Sequence, residues 1–167
     1  YVVARKLGFQ DLESHFRIIL PLPSVSTWLT YCKVEVDGKN FSKILRGEAL
    51  QVYKDHLNFK CFHVHVRTPL GECYLTGTRV YRKKFAFLQI QYISHSKIFA
   101  KFAGRISMAI CLRVNTVGIV VDERFLRGNT VMLSKVLPLP YPRVYKSGLL
   151  GVNDIDLLYS EFSVLNL

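Results

Sequence analysis

Apolar and polar residues along this chain follow two rhythms, one of period two and one of period 3.6, and the rhythm switches several times. Residues 15–20 alternate in the β manner and stop at Pro21 and Pro23, which cannot donate to a strand ladder. Residues 30–36 (TYCKVEV) alternate again and run into Asp37-Gly38, a strong turn signal. The period then lengthens. Phe41, Ile44, Leu45, Glu48, Ala49, Val52 and Tyr53 recur at helical spacing, apolar except for Glu48, behind Asn40 as a fitting N-cap. Gly47 weakens that helix by about 1 kcal/mol without breaking the pattern.

Residues 59–67 return to alternation and place Phe62, Val64 and Val66 on one face. Pro69, Leu70 and Gly71 turn the chain into 73–81, which predicts a hairpin, and 85–93 alternates once more. Ser94 is placed to cap a short helix carrying Ile98, Phe99 and Phe102 that ends at Gly104. Residues 105–114 and 117–121 read as two strands divided by Asn115-Thr116, and 130–137 as another, stopped by Pro138, Pro140 and Pro142. Asn153 is placed to cap a last helix through Leu158. Helices fall between runs of strands rather than after every strand. The expected class is therefore α+β: a mostly antiparallel sheet with two or three helices packed on one side, in a single domain.

Composition agrees with that picture. The 167 residues suit one domain with a sizeable core, and eleven Phe, nine Tyr and widespread β-branched residues favour strands. Cys32, Cys61, Cys73 and Cys111 lie far apart inside apolar runs with no Cys-x-x-Cys pair, which points to reduced core thiols and a reducing compartment. No apolar run approaches the roughly 18 residues that span a bilayer. Arg5, Lys6, Asp11 and Glu13 leave no apolar stretch for a secretory leader, and the opening on Tyr1 rather than Met leads us to expect residues upstream.

Charge changes the picture more. The chain carries 23 Lys and Arg against 12 Asp and Glu, a formal net charge of +11, although half of its residues are apolar. Residues 1–146 hold all 23 bases and nine acids, 23 − 9 = +14, and form a basic α+β body. Residues 147–167 hold Asp154, Asp156 and Glu161 and no base, a net of −3, and read as a short acidic segment of the same domain. That segment either docks on its own basic body or on a neighbouring copy, or is a solvated C-terminal helix. Arg79, Arg82, Lys83 and Lys84 cluster beside Tyr81, and Lys97, Lys101 and Arg105 follow around the short helix. If that helix packs on the neighbouring strands, the seven make one anion-binding patch for RNA or anionic lipid. Lys33, Lys39, Lys43 and Arg46 form a weaker group. Trp28 is either core or an aromatic anchor for a partner subunit or a membrane interface.

Residues able to carry a reaction are not grouped. Cys61, His63 and His65 share one strand face, but successive strand positions diverge and no second motif completes a metal site, so an exposed polar face is expected. Asp122 and Glu123 are adjacent and point apart. There is no Gly-x-Ser-x-Gly, no Gly-rich phosphate loop and no His-Glu-x-x-His. We expect no catalytic, metal or cofactor site, and a binding or assembly role rather than an enzyme.

From Val80 to Val121 the order of features resembles the matrix proteins of non-segmented negative-strand RNA viruses, of the rhabdovirus and bornavirus kind. The residues that carry it are Val80-Tyr81-Arg82-Lys83-Lys84, then 85–90 (FAFLQI), a Ser-His-Ser-Lys helix start, Leu112-Arg113-Val114-Asn115 and Val117-Gly118-Ile119. The resemblance covers about a quarter of the chain. It implies a homo-oligomer that coats the inner face of a virion envelope and links an anionic membrane to RNA or nucleocapsid. Read from the residues themselves, Trp28, Asp154, Asp156 and Glu161 are the self-association candidates. No Pro-Pro-x-Tyr budding motif is present. Two other readings compete. One is a sheet-based RNA-binding protein of an organelle or ribosome. The other is a small-molecule lyase, because 68–81 followed by 133–142 resembles chorismate lyase, with Ser134-Lys135 where a catalytic acid would be wanted.

Overall fold

The computed structural model describes residues 6–7, 10–12, 16–21, 31–126, 128, 133–137 and 143–145. Strands β1 (Gln10–Leu12) and β9 (Arg143–Tyr145) pair antiparallel as a separate two-stranded ribbon. The main sheet contains β2 (Phe16–Ile19), β3 (Lys33–Val36), β4 (Phe62–Thr68), β5 (Gly71–Arg82), β6 (Phe85–Ile93), β7 (Gly118–Asp122) and β8 (Ser134–Leu137). Their order is β3-β4-β5-β6-β7-β2-β8. Helices α1 (Phe41–Ile44) and α2 (Gly47–Asp55) join β3 to β4; α3 (Ser96–Val114) joins β6 to β7; and Glu123–Leu126 form a 3₁₀ turn. The class is α+β with a mostly antiparallel sheet, and the β6–β7 pair is parallel.

α3 makes the main core. Phe99, Ala103, Ile106, Ile110 and Val114 fall on one helical stripe and are buried against Val64, Val66, Leu75, Leu88, Ile90, Ile119 and Val121. Small residues at Ala100, Ala103, Ser107 and Ala109 let the helix lie close to the sheet. The expectation of a strand over 105–114 is overturned here. The apolar positions that look alternating also satisfy a 3.6-residue stripe, and Gly104 does not stop the helix, which deviates only at Phe102 (φ −115°, ψ 17°). Asn115, read as a strand divider, is the left-handed C-cap at φ 52°.

The second sheet face carries the short helices, so helices occupy both faces. Side chains alternate across a strand, and Tyr74 and Tyr92 therefore point away from α3. There they meet Phe41, Leu45 and Val52 of the α1–α2 segment. The single predicted helix over 41–53 is broken, because Leu45 and Arg46 are extended and Gly47 takes φ +54°. Farther along that face Phe16, Phe87 and Val120 form a third buried cluster. The proposed last helix after Asn153 lies outside the described residues.

Ile110 is fully buried at the centre of the α3 stripe. Ile110→Ala is expected to lower stability by about 2–5 kcal/mol, read from the midpoint of urea unfolding.

Candidate functional site

The turn between β5 and β6 projects from the sheet. β4 pairs with β5 only as far as Gly77, and β7 pairs with β6 only from Phe87. Within the ladders, Val80, Tyr81 and Arg82 pair only with Phe87, Ala86 and Phe85. At the tip Lys83 has φ 55°. A two-residue hairpin turn with positive φ favours Gly or Asn, and a side chain such as lysine there is held at a cost of about 1–2 kcal/mol. Two lysines beside Arg82 also repel one another, so neither turn chemistry nor local electrostatics accounts for the choice. Tyr81 is 68% and Phe85 57% exposed on either side of these charges.

The far end of α3 adds to this surface. Arg79 donates to the Val114 carbonyl and lies over the Phe62 ring, 5.3 Å from its centroid. It thereby ties the ribbon to the negative end of the helix. Val117 donates its N–H to the Ala86 carbonyl at 2.9 Å. Nearby, Leu112 is 78% exposed and Arg113 is exposed. The stretch from Cys73 to Val121 contains eight bases and no acid.

The seven basic residues singled out in the sequence do not form one patch. The start of β5 lies at the start of α3, since a Cβ on Gly71 would sit 3.3 Å from Ile98. Arg79 meets the end of that helix, which at 19 residues is about 28 Å long. Arg82, Lys83 and Lys84 therefore occupy one end of the molecule and Lys97 and Lys101 the other, with the half-buried Arg105 between them. Of the weaker group, Arg46 donates to the carbonyls of Lys43 and Leu45, at 2.6 and 2.9 Å. Trp28, Asp154, Asp156 and Glu161 lie outside the described residues.

Cys61, His63 and His65 do share a face, but it is not an exposed one. The α1–α2 segment folds over it, leaving His63 7% and His65 3% exposed. His63 Nδ1 is 2.7 Å from the Tyr74 hydroxyl and its Nε2 is 3.6 Å from Cys61 Sγ. The Tyr53 ring stands edge-on to the imidazole at 4.9 Å. Thr76 donates to the Phe62 carbonyl at 3.1 Å and hydrogen-bonds both Cys61 and Tyr74. The His56 carbonyl accepts both the Cys61 S–H, at 3.4 Å, and a ring N–H of His63. Burial holds the His63 pKa below its ordinary value and pushes the Cys61 thiol and the Tyr74 phenol up, so all three are neutral near pH 7. His65 Nε2 lies 3.0 Å from Glu72, whose other oxygen accepts from Arg67 at 3.0 Å. Among the described residues no group of three or more His, Cys, Asp or Glu is placed to hold a metal ion.

A third feature has no counterpart in the sequence reading. β6 and β7 are paired from Phe87–Gly118 to Gln89–Val120 and then part. Gln91 is the extra residue of a bulge against β5, where Thr76 pairs with Tyr92 and Gly77 with Ile90. Gly77 is required there, since a Cβ would lie 2.5 Å from the Gln89 carbonyl oxygen. The Gln91 amide nitrogen donates to Thr78 at 3.0 Å, while its buried Oε1 has no partner. Only two residues separate the end of β6 from the start of α3, which has no side-chain cap from His95 and no acid in its first turn. Asp122, at the end of β7, is buried and accepts from the N–H and guanidinium of Arg124. Only Gly77 and Gln91, an unexplained glycine and glutamine in strand patterns, could have signalled the bulge.

No protein-family model matches the chain, and no curated protein or solved structure matches it either.

Because the folded pKa of His63 is lowered, the unfolded chain takes up a proton that the folded chain refuses. The stabilisation is complete above the unfolded pKa near 6.5 and is lost as pH falls from there toward the folded value. The urea midpoint is expected to fall between about pH 7.5 and about pH 5.5, and to fall less in His63→Gln.

Proposed function

We propose that the protein is a self-associating attachment protein of the matrix type, whose β5–β6 ribbon end meets an anionic surface. The observation that carries this reading is the ribbon tip, where Arg82, Lys83 and Lys84 stand together and Lys83 is kept at a positive-φ turn position that favours other residues. Exposed Tyr81 and Phe85 flank them, in a stretch without acids. Aromatic side chains beside bases suit the boundary of a lipid layer, where each base near an anionic surface contributes about 1 kcal/mol. They also suit RNA, whose bases stack on exposed rings. Exposed Leu112 and Val117 beside the same end favour lipid, because aliphatic side chains add nothing to phosphate contact. Self-association rests on the spare apolar surface, including exposed Tyr31 and Leu57. The resemblance over 80–121 adds the virion setting, with membrane on one side and ribonucleoprotein on the other. Among the described residues no helix is long and apolar enough to cross a membrane, so the contact proposed is peripheral.

The parting of β6 and β7 favours a second reading, a small-ligand site. Beyond Gln89 and Val120 the two strands no longer pair with each other, Gln91 Oε1 in that opening seeks a donor, and the α3 N-terminus beside it suits an anionic group. A phosphopantetheine compound combines these features. Titration calorimetry with coenzyme A tests it: measurable binding, weakened about tenfold in Gln91→Met, supports the site, and no heat from the wild type rejects it.

For the leading reading, the test is co-sedimentation with vesicles containing phosphatidylserine. Replacing Arg82, Lys83 and Lys84 by Gln removes about 3 kcal/mol and is expected to weaken partition about 100-fold at low ionic strength. Salt is expected to weaken wild-type binding as well. Equal loss on replacing Lys97 and Lys101 instead would remove the ribbon from its assigned role.

A further inference from the structure

β3 closes one side of the main sheet, and its outer edge carries a pattern that fits a copy of itself. Asp37 donates its N–H to the His63 carbonyl at 2.8 Å, in step with the register that sets Val36 opposite Val64, Glu35 opposite His65 and Lys33 opposite Arg67. Hydrogen-bonded and non-hydrogen-bonded pairs alternate along an antiparallel ladder. Lys33, Glu35 and Asp37 therefore aim their main-chain groups at β4, and Val34 and Val36 aim theirs away from it. Among the described residues no other strand meets that edge. Across β4, Lys33 faces Arg67 rather than an acid, and Glu72 already engages Arg67 at 3.0 Å. The ion pairs of the described residues include neither Lys33 nor Glu35.

Resting on the self-association in the reading above, we propose that β3 pairs with β3 of a second copy, antiparallel about a two-fold axis at Val34. Val34 then exchanges both main-chain hydrogen bonds with Val34 of the second copy, and Val36 lies opposite Cys32. On the face away from α3, Lys33 and Glu35 of one copy lie opposite Glu35 and Lys33 of the other. These are the non-hydrogen-bonded pairs, in which side chains approach most closely. An axis at Lys33 or Glu35 would oppose like charges, and one at Val36 would oppose Glu35 and Asp37. A slip of one residue would turn the wrong face. Within β3 only Val34 satisfies the ladder and the charges together. Arg105 and Arg113 lie near Cys32 on the α3 face. About 13 Å of strand separates the two Cys32 positions, so these bases do not face their own copies. The pairing has a consequence for attachment. β5 runs in the same direction as β3, since each is antiparallel to β4. The two ribbon tips of the dimer therefore point opposite ways, and one dimer joins two anionic surfaces.

The test is sedimentation velocity over a concentration series. A monomer–dimer equilibrium is expected for the wild type. Lys33→Glu, which sets an acid opposite Arg67 and so spares the fold, is expected to weaken the dimer about tenfold, and Glu35→Lys to act alike. The double variant Lys33→Glu/Glu35→Lys restores opposite charges and is expected to recover the dimer. With phosphatidylserine vesicles, wild type should raise turbidity by tethering, whereas Lys33→Glu should bind without tethering. A wild type monomeric at every concentration, a dimer unchanged in Lys33→Glu, or no recovery in the double variant overturns the proposal. Loss of the attachment reading shows separately, as wild type that does not bind vesicles, and leaves the sedimentation result to decide the edge.

Discussion

α3 can lie along the sheet only because Ala100, Ala103, Ser107 and Ala109 keep its inner side thin while Phe99, Ile106 and Ile110 fill the space between them. That packing carries the chain from the end of β6 back across the face and returns it as β7, parallel to β6. The order of the remaining strands follows, since β2 pairs with β7 and β8 with β2. Two features descend from this one arrangement. The helix separates Lys97 from Lys83 by nearly its own length, and its entry point leaves β6 and β7 free to part beyond Gln89 and Val120.

The second face is organised by polar pairing as much as by burial. Burying His63, His65, Thr76 and Tyr74 is tolerable only when their polar atoms find partners. Tyr74 closes the chain from Thr76 to His63, while Glu72 and Arg67 complete the partners of His65. Asp37 holds the backbone of His63 at both its N–H and its carbonyl, which links the β3 turn to β4. A network of this kind leaves little freedom in how the α1–α2 segment docks.

Much of the sheet was legible in the chain. β6 matches the alternation over 85–93, and β4, β5 and β7 differ from their expected bounds only at the ends. The misreadings share a cause. Residues 105–114 carry apolar positions compatible with both periods, so only the sheet they cover decides between strand and helix. Cys61, His63 and His65 read as an outward polar face because nothing local announces that α1 and α2 fold back over them. The Lys83-Lys84 tip was visible as a charge cluster, but the strain at Lys83 was not, since a dihedral angle leaves no mark on composition.

The chain by itself determined an α+β class, a basic body, and which side chains of β4 share a face, because period and charge are local properties. Tertiary structure alone decided that the seven bases divide between two ends, that a histidine face is buried and hydrogen-bonded, and that β6 and β7 part at Gln91. Each of those outcomes depends on residues distant in sequence meeting in space, such as Arg79 with Val114 or Cys61 with Thr76. No periodicity along the chain encodes such a meeting.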